Sequence, residues 1–539
     1  MTCKKMPFTC PTAGAFLQSR HKFCALPPFC ESVIPPFFVR HPAVSYALLT
    51  AMGLFISLLL PSPLSSYNLE KQVHAFTLAN GLRLLIVERH LSPTVSIYIR
   101  CRAGAADEAD GKTGTAHLLE HMMFKGTKTI GTKDYLREEK ILRKIEEAGT
   151  ALDRERMKGK AADQAIIARL ALQLAKLLKS HQPLMVSNEI GRLYTENGAV
   201  NLNASTGHDL TTYKVSIPAN RIELWARIES DRMINPVFRE FYTERDVVRE
   251  ERRQRSESDP EGKLFESYLS AAFIAHPYRR PVLGWPSDMR FLDMAYMEKF
   301  FRETHAPNNT VIAIVGNIQP PAVLKIVEKY FGRIPPRKLF SVPVTEEPPQ
   351  SGERRIEVVF DAEPQMILGY HKPPPPAYAD HVFDVLESIL SSGRTARLFK
   401  TIVEEKRLAE SIQAVNGLPG ARYQNQFAIL AKPRHPHICS ELEQAIDLEL
   451  ERIKREPVPL SELTKAKNQI RADFIRRLDS NTGLAEMLSY FEALLGDFHY
   501  LKDYLDTIDR VTPDDILNAA RTYLTRENRT VATLVRRKH

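Results

Sequence analysis

The chain has 539 residues and a mass of 61.3 kDa, with 43% apolar, 26% charged and 8% aromatic residues. That length accommodates two to four domains, and the composition excludes wholesale disorder, a collagen-like repeat and a coiled coil. One long apolar run excludes a polytopic membrane protein, and the formal charge of +9 reads as a solvated surface with a modest cationic excess before it reads as a nucleic-acid footprint.

In chain order, the first feature is Ala43–Leu60, 18 residues without a charge. Arg40 and His41 precede it, and Pro61, Ser62, Pro63, Ser65 and Ser66 follow, the pattern of a secretory signal cut near Ser66. The run also approaches the ~20 residues that a bilayer needs, so an uncleaved anchor, with membrane association through residues 43–60, is the alternative. The segment Met1–Arg40 is basic, carries Glu31 as its one acid and holds Cys3, Cys10, Cys24 and Cys30 in spacings that match no zinc pattern. A translation start nearer Met52 accounts for it. Beyond residue 66 only Cys101 and Cys439 remain. Two separate buried thiols are the preferred reading and a single bridge the alternative.

Two halves follow. Each opens with alternating apolar strands, Leu82–Val87 and Thr94–Arg100 in the first, Ile356–Phe360 and Met366–Tyr370 in the second. Asn308-Asn309-Thr310-Val311 and its apolar run return in the second half as Asn528-Arg529-Thr530-Val531. Met122–Gly126 returns more loosely as Ile389–Gly393, at a wider separation. The unequal separations place an insertion of about 47 residues in the first half, visible as Gly131–Leu184. Within it Ala161–Lys179 is an amphipathic helix with a basic polar face. Its apolar stripe is expected to pack on the host domain or a neighbouring helix, with a membrane-surface role as the alternative. Five prolines between Arg333 and Arg355 mark a linker. The expected layout is therefore a leader over 1–66, a first domain over 67–332, the linker over 333–355 and a homologous second domain over 356–539. Strands followed by runs of helices give an α+β fold: two homologous domains, each an antiparallel-rich sheet covered by helices, not a wound parallel sheet.

Thr113–Thr127 reads TGTAHLLEHMMFKGT. On a helix His117 and His121, at i and i+4, point to one side as two zinc imidazoles must. Glu120 sits beside them as a general base that need not ligate. This H-x-x-E-H order is the mark of the inverzincins. A third ligand must come from elsewhere. Phe241–Ser258 reads as a helix with Thr243 as N-cap and Asp246 completing a capping box. Its Glu244 and Glu251 lie seven apart on one face, and spacing alone leaves Glu244, Glu250 and Glu251 open as ligands.

With these motifs the chain resembles the pitrilysin/insulinase family of zinc peptidases, in the branch of the mitochondrial processing peptidase and its bacterial relatives. The resemblance runs from about His74 to the C-terminus, apart from the insertion. It rests on Ala75–Val87, HLLEHMMFKGT, Asn203-Ala204-Ser205-Thr206 ahead of Asp209 and Tyr213, and ERDVVREE. It implies a fold in which the two domains form half of a clamshell. It implies Glu251 as the third ligand of a single Zn²⁺ and Glu244 as a carboxylate behind the ligands. His121 and Glu251 stand unusually far apart in the chain for the family, and the extra length falls in Gly131–Leu184. The implied reaction is endopeptidase cleavage of extended, unfolded segments by a zinc-activated water, with Glu120 as base and then acid. Asn203–Thr206 would form an edge strand to which the peptide adds, and Phe124 would line a specificity pocket. In catalytic members a second-half helix like Leu398–Ile412 carries an Arg and, seven residues on, a Tyr that assist the oxyanion. Here those places hold Val403 and Glu410, with Arg394, Arg397 and Arg407 near but displaced. The resemblance therefore implies a homologous partner supplying Arg and Tyr in a heterodimer, or else a homodimer. Asp384, Glu387 and Ser388 replace the zinc motif in the second half, so one metal per chain is expected. The expected location is the periplasm of a Gram-negative bacterium, or the inner membrane facing it. A non-catalytic assembly subunit is the alternative function.

The charge supports no nucleic-acid role. Residues 1–66 carry +4, and residues 131–184, with twelve Lys/Arg against eight Asp/Glu, carry another +4. The zinc-bearing body is left near neutral.

Overall fold

The computed structural model describes residues 72–339 and 344–536. Ala43–Leu60, Cys3, Cys10, Cys24 and Cys30 lie outside the described residues. The first half holds β1 (Val73–Thr77), β2 (Arg83–Glu88), β3 (Thr94–Cys101), β4 (Val200–Thr206), β5 (Thr211–Pro218) and β6 (Thr310–Gly316). They form one sheet in the order β1-β2-β6-β3-β5-β4. The second half holds β7 (Arg354–Val359), β8 (Gln365–Lys372), β9 (Ala409–Leu418), β10 (Asn425–Pro433) and β11 (Arg529–Val535), in the order β7-β11-β8-β10-β9. β2 runs parallel to β6, and β7 runs parallel to β11; the other pairings are antiparallel. With β1 set aside, the two sheets have the same connectivity. The repeated Asn-x-Thr-Val segments begin the equivalent strands β6 and β11. The architecture is the expected α+β pair of antiparallel-rich sheets covered by helices.

Central strands such as β6 are buried along their whole length, so they read as unbroken apolar runs instead of alternating ones. One face of the first sheet packs on helices of its own half, through Leu118, Leu119, Met122, Trp225, Phe300 and Val327. The other face is covered by a helix from the second half. Asn481–Leu495 lies across β3 and β6, where Ser489 Oγ accepts from Arg100 Nε (2.9 Å) and Glu492 Oε1 accepts from Arg83 Nε (2.8 Å). The arrangement is reciprocal. Pro260–Ala272 of the first half lies on β7, β8 and β11, burying Leu264, Tyr268 and Leu269 against Val358, Ile367 and Leu534. Each such side chain contributes roughly 1.5–3 kcal/mol by leaving water.

Between β3 and β4 the helices Tyr135–Met157 and Gln164–His181 pack side by side, joined through a single turn at Gly159–Ala161. Asp163 caps the second, whose side-chain oxygen accepts from Ala165 and Ile166 N–H. Buried ion pairs tie this hairpin to the body. Arg239 donates to Glu138 from Nε (2.7 Å) and Nη2 (2.9 Å), and Arg245 donates to Asp153 (2.6 and 3.1 Å).

Two local expectations are corrected. The helix carrying Glu244 and Glu251 is Phe241–Arg252, continued by a wider turn over Arg253–Glu257, and Thr243 lies inside its first turn. Burial of Phe241 and Tyr242 draws the start forward to Glu240, which stands at φ 60°. The stretch Leu398–Ile412 is not one helix. Its helical part is Phe399–Glu405, Arg407 turns the chain at φ 54°, and Ala409 begins the edge strand β9. Cys101 and Cys439 are separate, buried thiols. No helix among the described residues is long and apolar enough to cross a membrane.

Candidate metal centre

The H-x-x-E-H segment folds as the short helix Thr115–Met122, which follows β3 after a turn at Ala105–Asp107. Gly114 precedes it at φ 90°, where a Cβ would come within 2.3 Å of Met289 Sδ, so glycine is required. Glycine offers no side-chain cap. Glu108 takes that role from a preceding turn: its carboxylate accepts from Gly114 N–H (2.8 Å) and Ala116 N–H (2.7 Å). Burial pushes its carboxyl up to about 8, against the pull of those two bonds. Gly126, at φ 102°, turns the chain away behind the helix.

His117 and His121 stand one turn apart with ring centroids 4.8 Å from each other. Glu251 reaches them from the facing helix, Oε1 lying 3.9 Å from His117 Nε2 and Oε2 lying 3.5 Å from His121 Nε2. One donor atom of each residue falls within 4.8 Å of the others. Donors of a tetrahedral zinc with ~2.05 Å bonds stand about 3.3 Å apart. The three residues thus fit the ion with a closure of at most about 1.5 Å. Glu251 Oε1 and His117 Nδ1 are buried without a hydrogen bond, and Arg255 Nη1 stands 3.1 Å from that carboxylate oxygen. A polar set of this kind, converging in a buried place, is suited to a cation. Among the described residues it is the one such group.

The surroundings divide the roles. Burial holds the His117 imidazole well below its ordinary range, helped by His121 and Arg255, and so keeps it in the neutral, ligating form. Burial also opposes charge on His121, but the bond to Glu244 and the charges of Glu251 and Glu120 carry it above the ordinary range. Glu244 Oε2 lies 3.4 Å from His121 Nδ1, and Lys125 Nζ donates to Glu244 Oε1 at 2.5 Å. Glu244 thus orients the imidazole from behind. Glu250, by contrast, is exposed and paired with Arg253. Burial raises the Glu120 carboxyl to about 7, while Thr206 and His121 pull it down. Thr206 Oγ1 donates to Glu120 Oε2 at 2.5 Å.

Thr206 ends β4, the outer strand of its sheet. Asn203, Ala204 and Ser205 precede it on the same strand, paired with Lys214, Tyr213 and Thr212 of β5. Asn203 and the half-buried Phe124 line one cleft with Lys214, Glu229 and Arg232, and the Arg232 guanidinium stacks 4.7 Å from the Phe124 ring. In the second half Val403 is buried in the core and Glu410 is exposed on β9. Asp384 and Glu387 are half-buried, and desolvation first, then neighbouring carboxylates, raise them to about 7 and about 8. Asn416 bonds both, through Nδ2 to Asp384 (2.9 Å) and through its N–H to Glu387 (3.0 Å).

Sequence reasoning missed Glu108, Lys125 and Arg239. Lys125 lies four residues after His121, so a helical projection of the motif would have found it. Glu108 caps from six residues ahead of Gly114, outside the spacing of a standard cap, and Arg239 acts across folds of the chain that carry no local signal.

Residues 83–156 and 185–285 match the family model described as insulinase (peptidase family M16), and residues 292–470 match the peptidase M16 inactive domain. The first match contains His117, Glu120, His121, Glu244 and Glu251 and breaks off within the helical hairpin. The zinc protease PqqE of Helicobacter pylori is 26% identical over 456 residues, 83% of this chain and 89% of that protein. An uncharacterized zinc protease of Mycobacterium bovis is 24% identical over 84% of this chain and 90% of its own. Among solved structures, a protease from Helicobacter pylori superposes with a TM-score of 0.72 at 23% identity, covering 86% of this chain and 99% of the other. The periplasmic protease PqqL from Escherichia coli gives a TM-score of 0.65 at 16% identity, covering 86% of this chain but 48% of PqqL.

Proposed function

Since the chain belongs to the insulinase family of M16 peptidases, we propose that it is a zinc-dependent endopeptidase acting on extended, unfolded peptide segments. The observation that carries this reading is the convergence of His117, His121 and Glu251, with Glu120 beside them and held by Thr206. Zn²⁺ held by the three ligands would acidify a water molecule and polarise the scissile carbonyl. Glu120 takes the proton from the attacking water and returns it to the departing amine. Its carboxyl, raised toward neutrality by burial, suits both transfers, and a cation at the ligands would lower it toward the base form. Thr206 occupies Oε2 and leaves Oε1 for the proton. Glu244 and Lys125 keep the His121 ring turned toward the ligand cluster.

The outer edge of β4 receives the substrate as an added strand, aligned along Asn203–Thr206. Strand addition uses main-chain donors and acceptors, so the reading selects unfolded segments. In this reading Phe124, backed by Arg232, and Asn203 lie on the side of β4 that meets a substrate side chain.

A second chain belongs to this reading. Val403 and Glu410 stand where the family resemblance expects Arg and Tyr, so a homologous subunit, or a second copy, supplies the oxyanion helpers. The match to about half of PqqL supports such a pairing. The periplasm is the proposed location, with Ala43–Leu60 as export signal or anchor.

The test is Glu120→Gln, assayed for zinc content and for cleavage of a quenched unfolded peptide. Zinc retained with cleavage lost is expected, and full activity in the variant overturns the reading. A lone monomer with strong activity overturns the two-chain part. Zinc-free protein that gains no activity with any partner favours the assembly-subunit reading that Val403 and Glu410 keep open.

A further inference from the structure

The helical hairpin has an uneven distribution of charge. All twelve Lys and Arg residues between 131 and 184 are exposed. Of the eight Asp and Glu residues in the same stretch, only Glu147 and Asp163 are exposed. Glu139 and Glu155 pair with Arg143 and Lys158 of the hairpin itself, and the others turn inward or cap. Glu138 serves Arg239 and His181, Asp153 serves Arg245, and Glu146 Oε2 accepts from Tyr242 Oη at 3.0 Å. A net charge of +4 in the sequence therefore becomes a far stronger cationic surface in the folded hairpin. Three of the acids that would neutralise it, Glu138, Glu146 and Asp153, are spent on attaching it to the body.

The outward face of Gln164–His181 combines this charge with apolar side chains. Arg169, Leu172, Lys176 and Lys179 form one stripe at helical spacing, flanked by exposed alanines, and Leu172 is 58% exposed. Met157, 54% exposed, stands at the end of the companion helix near the connecting turn. Among the described residues, Arg169, Lys176 and Lys179 make no ion pair. Tyr135 is the one aromatic residue of the stretch, so it offers no stacking platform of the kind that single-stranded nucleic acid uses. Cations alternating with single exposed Leu and Met side chains match an interface that offers headgroup charge and acyl boundary together.

We infer that the outer face of this hairpin docks on an anionic phospholipid surface and holds the chain against the bilayer, beside any attachment through Ala43–Leu60. The contact is electrostatic with shallow apolar insertion at Leu172, so it weakens with salt and needs acidic lipid. It is independent of the zinc ligands, which lie on other helices.

The experiment uses the full chain and the full chain carrying R169Q, K176Q and K179Q. Co-sedimentation is measured with vesicles of phosphatidylcholine alone and with added phosphatidylglycerol, at low and high salt. Zinc content and peptide cleavage, which none of these residues touches, report correct folding of the variant. Expected is phosphatidylglycerol-dependent, salt-sensitive binding that falls by roughly 100-fold in the triple variant. Equal binding to both vesicle types, or binding by the variant equal to the parent, overturns the inference. Binding to a soluble polyanion such as duplex DNA without binding to phosphatidylglycerol vesicles also overturns it.

Discussion

Replacing Glu138 with Gln tests how firmly the hairpin braces the loop behind the zinc helix. Glu138 is fully buried, accepts twice from Arg239 and meets His181 Nε2 at 2.7 Å. Burial disfavours its charge, but the bonds from His181 and Arg239 outweigh that and hold the carboxyl at about 2 instead of 4.5. The native state therefore binds this proton more weakly than the unfolded chain. The stabilisation is full above the unfolded value of 4.5 and is lost as pH falls toward 2. The shift corresponds to about 3 kcal/mol. Removing one member of a buried ion pair costs ~3–5 kcal/mol by a separate measure, so the two agree. Arg239 also donates to the carbonyls of Lys125 (3.2 Å), Ile130 (3.3 Å) and Thr127 (2.6 Å), so its release loosens the loop that leaves the zinc helix. Urea unfolding of the zinc-loaded chain at pH 7 should show a loss of about 3 kcal/mol in Glu138→Gln. The gap between parent and variant should narrow by about 0.8 kcal/mol at pH 4. Amide exchange over residues 125–131 should quicken in the variant. A loss below about 1 kcal/mol, or a gap that widens as the pH falls, would refute the reasoning.

Glu244→Gln, by weakening the orientation of His121, should lower zinc affinity ~10–100-fold in competition with a chelator while leaving unfolding in the absence of metal little changed. Thr206→Val removes a bond that favours ionised Glu120, so the acid limb of the kcat/KM profile should move up by roughly one pH unit; Thr206→Ser should restore it, and an unmoved limb in the valine variant counts against the assignment. Cys101 and Cys439 are buried, with burial raising their thiols to about 12 and about 11, so a thiol reagent should leave both unmodified in the native chain and label two thiols of this region after unfolding.

The parts of the site that were legible in the sequence are those set by local geometry. His117, Glu120 and His121 share one helical turn, and their spacing alone gives a candidate ligand pair and a candidate base. The repeat between Asn308 and Asn528 was legible because each begins the same central strand, whose two-sided burial leaves an apolar run in the sequence. The third ligand was not legible from spacing. Glu244, Glu250 and Glu251 share one helix, and only the folded chain separates them: Glu250 faces solvent, Glu244 faces the back of His121 and Glu251 faces the imidazole edges. The break at Arg407 was hidden because the apolar residues before it continue a helical period into what becomes an amphipathic edge strand. Glu138 holding Arg239 was invisible for another reason. An acidic residue that is buried against a distant partner looks, in sequence, like one that is solvated.

The exchange of helices between the halves has a further consequence for how a substrate gains entry. Asn481–Leu495 seals the first sheet and Pro260–Ala272 seals the second, so parting the halves would strip both sheets of a cover at once. A hinge inside this chain would have to break two cores to open one cleft. The two halves are accordingly tied into one unit, and β4 lies at the outer edge of its sheet. On the proposed two-chain reading, access to that edge is set by the approach of the second chain and not by a hinge within this one.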